Sequence, residues 1–358
     1  MTATLITEPG IVGGLDIEIY HSQCTPGPSF SSSNLRAMEL QSPAHCFANW
    51  SGNPNRVEKS TKALSFGSAA HALILGDEVF GARHAVSPFQ DFAKIETIDG
   101  VEWKPRRPDI PDMNASKVVV ANYEKAMQAV ADGTMAYKSD WSDLQADLGR
   151  VVITADDFQH IKNMAEVLHG QERLDGLFGG DVEQSCFWQD EQTGLWLKSR
   201  LDVRPLNDVF MDLKTTVDAS PHATERDITK RAYDMQFALG TEGLLKAGGQ
   251  KIHAHVIVFI EKTPPYACTP VEISPQVIWD SARRNRRALD HIKVCLDSGS
   301  WPGYPVPPAY EYPRWLQKEL DEDEAAGLLP PPPAWLEQLK VIPPQTEPTE
   351  TEQDIELT

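Results

Sequence analysis

Gly194-Leu195-Trp196-Leu197-Lys198-Ser199-Arg200-Leu201-Asp202, a turn at Pro205-Leu206-Asn207-Asp208, and then Val209-Phe210-Met211-Asp212-Leu213-Lys214-Thr215-Thr216 form the most informative stretch of this 358-residue chain. Aromatic and β-branched residues between turn signals mark two strands, Trp196 to Arg204 and Val209 to Thr215. A third, Val182 to Gln189, precedes them, separated by the turn Gln192-Thr193-Gly194. Side chains alternate faces along a strand, so Asp212 and Lys214 project to the same side. A hairpin at 205–208 would return the chain beside itself and bring Asp202 near Asp212.

Outward from this block, the period changes. A long helix is expected at about Ala223 to Lys246, stopped by Gly248-Gly249. Strands follow at His253 to Glu261 and Ala267 to Ile273, then a helix at about Pro275 to Ser298 bearing Arg283, Arg284, Arg286 and Arg287. Three strands, a helix, two strands and a helix make a mixed α/β or α+β pattern, not a regular alternation. Upstream, short helices are expected after Ser31-Ser32-Ser33-Asn34 over Leu35 to Leu40, and over Ser65 to Leu75, ended by Gly76. Residues 81–112 read as irregular, with helices at Ala115 to Ala131 and Asp156 to Leu168. The Gly and Pro clusters of residues 1–29 read as a poorly packed lead-in. The expected division is therefore a lead-in over 1–29, one domain over 30–312 and a Pro-rich acidic tail over 313–358. That tail should be flexible, with one amphipathic turn near Trp335-Leu336.

At 41% hydrophobic residues the chain can bury a sizeable core. No apolar run reaches 18 residues, so no transmembrane helix or membrane partner is expected. The first eight residues lack a basic region and an apolar core, so no signal peptide is expected. The cysteines at 24, 46, 186, 268 and 295 are odd in number and form no Cys-x-x-Cys pair. This argues against a disulfide framework or zinc site and fits a reducing cytoplasm. The net charge is -19. From 319 to 358 there are eleven acids (319, 321, 322, 323, 324, 337, 347, 350, 352, 354 and 356) against Lys340, which gives -10 of it. Any surface for a polyanion must be local.

Two carboxylates and an ammonium on one patch are costly unless a cation joins them. Hard oxygen ligands suit Mg²⁺, with Mn²⁺ as a substitute, bound through one or two carboxylates plus substrate phosphate. Lys214 would orient or help deprotonate a water and offset charge building on phosphate. An Asp-x-Lys triplet is also common on solvated strand faces, and spacing alone does not separate the two readings.

Other candidates have two readings each. His253 and His255 alternate on a strand without a third ligand, which favours a structural role. Arg283 to Arg287 could track phosphates or pair with nearby acids. Lys198 and Arg200 could touch phosphate or neutralise the carboxylate patch. Arg226, Lys230 and Arg231 share the expected 223–246 helix with Gln236 and are candidates to contact a phosphate backbone. Glu183 is either an additional site acid or a solvated strand end. The segment from Trp301 to Trp335 is a partner-binding stretch or a tail that packs back on the domain, and the acidic tail could compete with a polyanion for a basic groove.

Glu183 to Asp190, Gly194, Lys198 to Asp202 and Asp212-Leu213-Lys214-Thr215-Thr216 together resemble the nuclease domain of exodeoxyribonuclease VIII, the RecE-type phage recombination exonucleases of the PD-(D/E)XK superfamily. Tyr233-Asp234-Met235-Gln236 is similar to that family's downstream helix, and Phe66-Gly67-Ser68-Ala69-Ala70-His71 to its upstream helix. Trp301-Pro302-Gly303-Tyr304 resembles the close of the domain. The likeness covers roughly residues 30–305.

The resemblance implies an αβββαβ nuclease core: a central mixed sheet flanked by helices, with N-terminal helical additions. It implies Asp202, Asp212, the Leu213 carbonyl and His71 as metal ligands, Lys214 as the catalytic lysine, and Gln236 as the group that positions the scissile strand or attacking water. It implies 5′ to 3′ degradation of one strand from linear double-stranded DNA ends, leaving overhangs. A RecT-type single-strand annealing protein as partner and a homo-oligomeric ring follow from the same likeness. Related nucleases often place a Tyr four residues after the Gln. Here that position is Gly240, and Tyr233, on the same helical face as Gln236, is the candidate substitute. A non-catalytic DNA-binding subunit and an endonuclease on the same core are the competing readings.

Overall fold

A computed structural model describes residues 5–57, 62–112, 114–174 and 176–338. In chain order, β1 (Gly10–Val12), α1 (Ile17–His21) and β2 (Ser29–Ser31) lead into α2 (Ser32–Leu40), α3 (Pro43–Asn49), α4 (Lys62–Leu75) and α5 (Asp77–Arg83). Next come β3 (His84–Val86), β4 (Glu96–Ile98), β5 (Val101–Lys104), α6 (Lys117–Ala131), β6 (Met135–Tyr137), α7 (Lys138–Asp147), β7 (Val151–Ile153) and α8 (Ala155–His169). The site-bearing half holds β8 (Gly180–Gln189), β9 (Trp196–Pro205), β10 (Val209–Thr216), α9 (Pro221–Arg231), α10 (Tyr233–Gly248), β11 (Ala254–Glu261), β12 (Cys268–Glu272) and α11 (Pro275–Ser298).

The three expected strands are β8, β9 and β10, within two residues at each end. β8 and β9 are antiparallel, with β1 on the outer edge of β8 and β2 parallel to β9. β10 runs parallel to β11, from Val209 opposite Ala254 to Thr216 opposite Glu261, and β12 is antiparallel to β11. The mixed α/β class is as expected. The hairpin is not. β9 and β10 are consecutive and touch, but they share no ladder. Between them the Asp202 carboxylate accepts the Leu213 N–H at 3.1 Å, a bond that a regular ladder would give to a carbonyl.

Two cores flank the β10 sheet. Phe210 faces Phe237 and Leu239 of α10, with Leu35 of α2 and Ile292 of α11 in the same cluster. Met211 and Leu213 face Ala69 and Ala70 of α4 and Ile161 and Met164 of α8. Alternation along one strand thus makes a helix–sheet–helix sandwich. The Ala pair of α4 explains the small-residue run, since side chains without bulk let α4 approach the sheet.

The expected single helix from 223 to 246 is two, broken at Ala232, which is buried and left-handed at φ +48°. The turn redirects the chain so that α10 enters the core with Tyr233 in its first turn. The 81–112 stretch is less irregular than expected. It holds β3 to β5, which join β6 and β7 in two small sheets. The N-terminal lead-in is also packed: Leu15, Tyr20 and Cys24 are buried with Phe187 and Trp196.

The compact unit ends at Tyr304, and a second unit begins at Pro305. In the second unit, α12 (Arg314–Ala325) takes up part of the stretch expected to be flexible, supported by Gln317–Asp321 and Lys318–Glu322 contacts one turn apart. α13 (Trp335–Gln338) lies at the expected amphipathic turn. The acids at 347, 350, 352, 354 and 356 and Lys340 fall outside the described residues. Among the described residues no helix is long and apolar enough to cross a membrane.

Candidate active site

β10 brings Asp212 and Lys214 to the same side, as period two requires, and the Lys214 ammonium meets Asp212 Oδ2. Asp212 is 2% exposed. Its other oxygen, Oδ1, accepts the Gln236 amide N–H at 2.9 Å from the first turn of α10. The break at Ala232 sets this geometry by aiming α10 at the strand. The Lys214 ammonium also stands 5.0 Å from the centre of the Tyr233 ring, which stabilises a cation.

Asp202 reaches the same place from β9. Its Oδ1 lies 3.3 Å from His71 Nδ1 on α4, while Oδ2 holds the Leu213 N–H. The structure therefore brings together His71, Asp202, Asp212, Lys214 and Gln236 from four elements. They border or line a cleft of about 940 Å³.

Electrostatics separate the two carboxylates. Burial opposes ionisation of Asp202, but the His71 imidazole and Lys214 ammonium hold its carboxyl well below the usual range. Asp212 moves the other way. Burial raises its pKa, and the attraction of Lys214 does not offset burial together with the nearby Asp202 charge. Burial lowers His71 and Lys214, but the neighbouring carboxylates outweigh it and both shift upward. Two like acids with opposite shifts in one cleft mark a candidate functional site.

Among the described residues, no three His, Cys or acidic side chains form a ready cation cage. Asp212 is engaged by Lys214 and Gln236, and Asp202 by His71 and Leu213. Mg²⁺ does not need such a cage, because it keeps waters and binds through one or two carboxylates. The buried Asp212 Oδ2, met by Lys214 alone, and the oxygen-rich pair fit a hard divalent ion.

The remaining candidates divide. Arg226, Arg231 and Tyr233 line the cleft. Lys230 does not; it borders a separate shallow depression with His222 and Thr229. Lys198, expected near phosphate or the carboxylates, is 3% exposed, and its ammonium donates to the Tyr20 and Ser22 carbonyls at 2.7 and 2.8 Å. Arg200 donates to the Leu15 carbonyl at 2.9 Å and pairs with Glu183, also at 2.9 Å. Lys198 is thus committed to anchoring the N-terminal segment, which corrects the expectation that it meets DNA, whereas Arg200, tied to that segment and to Glu183, also lines the cleft. Glu183 is a half-buried acceptor between Arg83 and Arg200, not a solvated strand end.

The arginines of α11 are ion-paired: Arg284 with Glu39 and Asp234, Arg286 with Asp190 and Asp290, and Arg287 with Glu39. His255 is buried on Thr241, with its pKa lowered to about 4 by burial, and His253 lies on Asp208. Neither histidine joins the site. Gly240 explains the missing Tyr. A Cβ there would stand 2.5 Å from Phe210 Cε1, so the core leaves no room for a side chain. Sequence reading missed Arg36, Arg83 and Lys262, which line the same cleft. They come from distant segments with no shared motif.

Residues 31–307 match the family model of a PDDEXK-like domain of unknown function (DUF3799). The chain belongs to this family. Its described strands and helices are those of a PD-(D/E)XK core, and the match spans every residue of the cluster above. The DUF3799 match does not reach the narrower RecE type. No curated protein matches. Among solved structures, a "putative exonuclease" from Eubacterium rectale is similar at a TM-score of 0.47 and 11% identity, over 92% of this chain and 100% of that one. The protein SSO0001 is similar at a TM-score of 0.23 and 13% identity, over 52% of this chain and 82% of that one.

Proposed function

We propose that this DUF3799 protein is a metal-dependent deoxyribonuclease. The observation that carries the reading is the convergence of Asp202, Asp212, Lys214 and Gln236 at one cleft, with Asp212 buried between the lysine and the amide. A buried, over-determined charge cluster is costly to a fold that makes no use of it.

Asp202 and Asp212, with His71 and the Leu213 carbonyl as further candidates, would hold Mg²⁺ or Mn²⁺. When bound, the ion would polarise the scissile phosphate and lower the pKa of water. Lys214 sits where its ammonium can orient a water and offset charge developing on phosphate. Tyr233 flanks that ammonium and limits its motion. Gln236 keeps one Asp212 oxygen directed and can turn its amide to substrate. His71 holds Asp202 from the opposite wall. Arg226 and Arg231, on the cleft side of α9, supply positive charge for a phosphate backbone.

The RecE-like pattern supports a finer reading: an exonuclease acting 5′ to 3′ on linear duplex ends, working with a single-strand annealing protein. The test is digestion of linear and closed circular duplex with Mg²⁺ or Mn²⁺, beside Asp212→Ala and chelator controls. Loss of linear DNA alone, abolished by both controls, is the expected result. Cleavage of closed circles would replace exonuclease with endonuclease. No cleavage by folded wild type would leave a DNA-binding module.

A further inference from the structure

Glu183 sits in the middle of β8 with φ +50°, a conformation that a residue with a long side chain rarely adopts. It stands across from Asp202. The β8–β9 ladder pairs Val182 with Val203 and Gln184 with Leu201, and is interrupted at the Glu183–Asp202 position between them. Such backbone strain persists only where surrounding contacts over-determine it. Here the contacts are two guanidinium groups. Arg83 Nη1 donates to Glu183 Oε1 at 2.6 Å, and Arg200 Nη2 donates to Oε2 at 2.9 Å.

The two arginines differ in what remains free. Arg200 is 11% exposed and gives further hydrogen bonds to the Leu15 carbonyl and Ser185 Oγ. Arg83 is 27% exposed, ends α5 at the cleft, and among the described residues donates to Glu183 alone. Its Nε and Nη2 are therefore uncommitted. Two guanidinium groups on one carboxylate leave a surplus of one positive charge on the cleft wall beside Asp202. The surplus equals the charge of one phosphodiester, and a planar guanidinium suits its oxygens.

We propose that Arg83 is a direct contact for a backbone phosphate of the DNA strand in the cleft, and that Glu183 is the positioning residue that aims it. This rests on the nuclease reading above. A purely structural tie between α5 and β8 would use Arg83 without leaving donors free at a cleft.

The test is metal-free binding of a fluorescent linear duplex by anisotropy in chelator, over a series of salt concentrations, with melting curves for each variant. Arg83→Gln keeps a hydrogen-bond donor for Glu183 but removes the charge. We expect about tenfold weaker binding and a log–log salt slope smaller by about one. Unchanged affinity and slope, or weaker binding at an unchanged slope, would overturn the proposal while leaving the nuclease reading intact. If Gln at 83 lowers melting below the assay temperature, Arg83→Lys carries the test. A lysine keeps the charge but lacks the planar fork that faces Glu183 and phosphate with separate N–H groups, so the slope should persist with severalfold weaker binding, and wild-type affinity would overturn the proposal. Wild type that neither binds nor cleaves duplex removes the nuclease reading itself.

Discussion

The Asp202 carboxylate takes the place of a backbone carbonyl, accepting the Leu213 N–H at 3.1 Å in the gap between β9 and β10. One side chain thus closes a break in the hydrogen bonding and sits in the proposed metal site. Its two roles separate by mutation. Asp202→Asn keeps an acceptor for Leu213 and removes the charge. Asp202→Ala strands a part-buried N–H, which costs about 1–3 kcal/mol. Urea unfolding should show the Asn variant below wild type, because it loses the charge that His71 and Lys214 favour, and the Ala variant lower still by that amount. Both should lose cleavage of linear duplex. An Ala variant as stable as the Asn variant would show that Leu213 finds another acceptor.

Asp212 and Lys214 form a buried pair in which each partner offsets the other. Lys214→Met leaves the Asp212 carboxylate without its cation, and removing one partner of such a pair costs about 3–5 kcal/mol. Asp212→Asn removes the charge that burial disfavours and keeps the amide contact region filled. The double variant should recover much of the loss. A coupling energy in the range of about 0.5–3 kcal/mol from the four-protein unfolding cycle is the expected outcome. Additive effects would mean the pair is exposed to water in solution.

Part of this geometry is legible in the sequence. The Asp212–Lys214 face follows from strand period alone. The α11 helix was readable at both ends, because Ser274 caps it through the Val277 N–H, Pro275 opens it and Gly299 closes it at φ +66°. The break at Ala232 was not readable. Nothing in Lys230-Arg231-Ala232-Tyr233 stops a helix locally, and the left-handed turn is held by tertiary packing around the fully buried Ala232. The lead-in misled for a related reason. Its Gly and Pro clusters speak locally for looseness, while the groups that hold it, Lys198 and Arg200, lie far along the chain. Arg36, Arg83 and Lys262 are likewise cleft residues only by virtue of tertiary placement.

Lys198 gives a pH signature for that anchor. Burial lowers its pKa to about 8 from the ordinary 10.5. The unfolded chain therefore holds a proton that the folded chain has released between about pH 8 and 10.5. The unfolded state binding more protons means stability rises with pH across that window. Buried thiols such as Cys46 and Cys186, pushed up to about 12, act in the opposite sense above pH 9. The comparison must therefore be a difference between wild type and Lys198→Met. Wild type should gain on the variant by up to about 3 kcal/mol as pH rises through the window. A flat difference would show that water reaches the ammonium.

Gly240 turns a departure from the family pattern into a packing prediction. In an exposed helix interior, Gly→Ala gains about 1 kcal/mol through helix propensity. Here the new methyl would meet Phe210 Cε1 at 2.5 Å and Leu201 Cδ2 at 3.3 Å. Phe210 is 2% exposed and lies against Phe237, so its ring has little freedom to withdraw. Overpacking of this kind costs about 1–3 kcal/mol, which outweighs the propensity gain. Gly240→Ala should lower the unfolding midpoint, and Gly240→Tyr should fail to fold. Because Phe210 lies two residues from Asp212 on the same face of β10, displacement of the ring should also disturb the Gln236–Asp212 contact. The Ala variant should then lose cleavage more steeply than stability, measured at a temperature where it remains folded. Equal activity at that temperature would mean that the strand absorbs the methyl without moving Asp212.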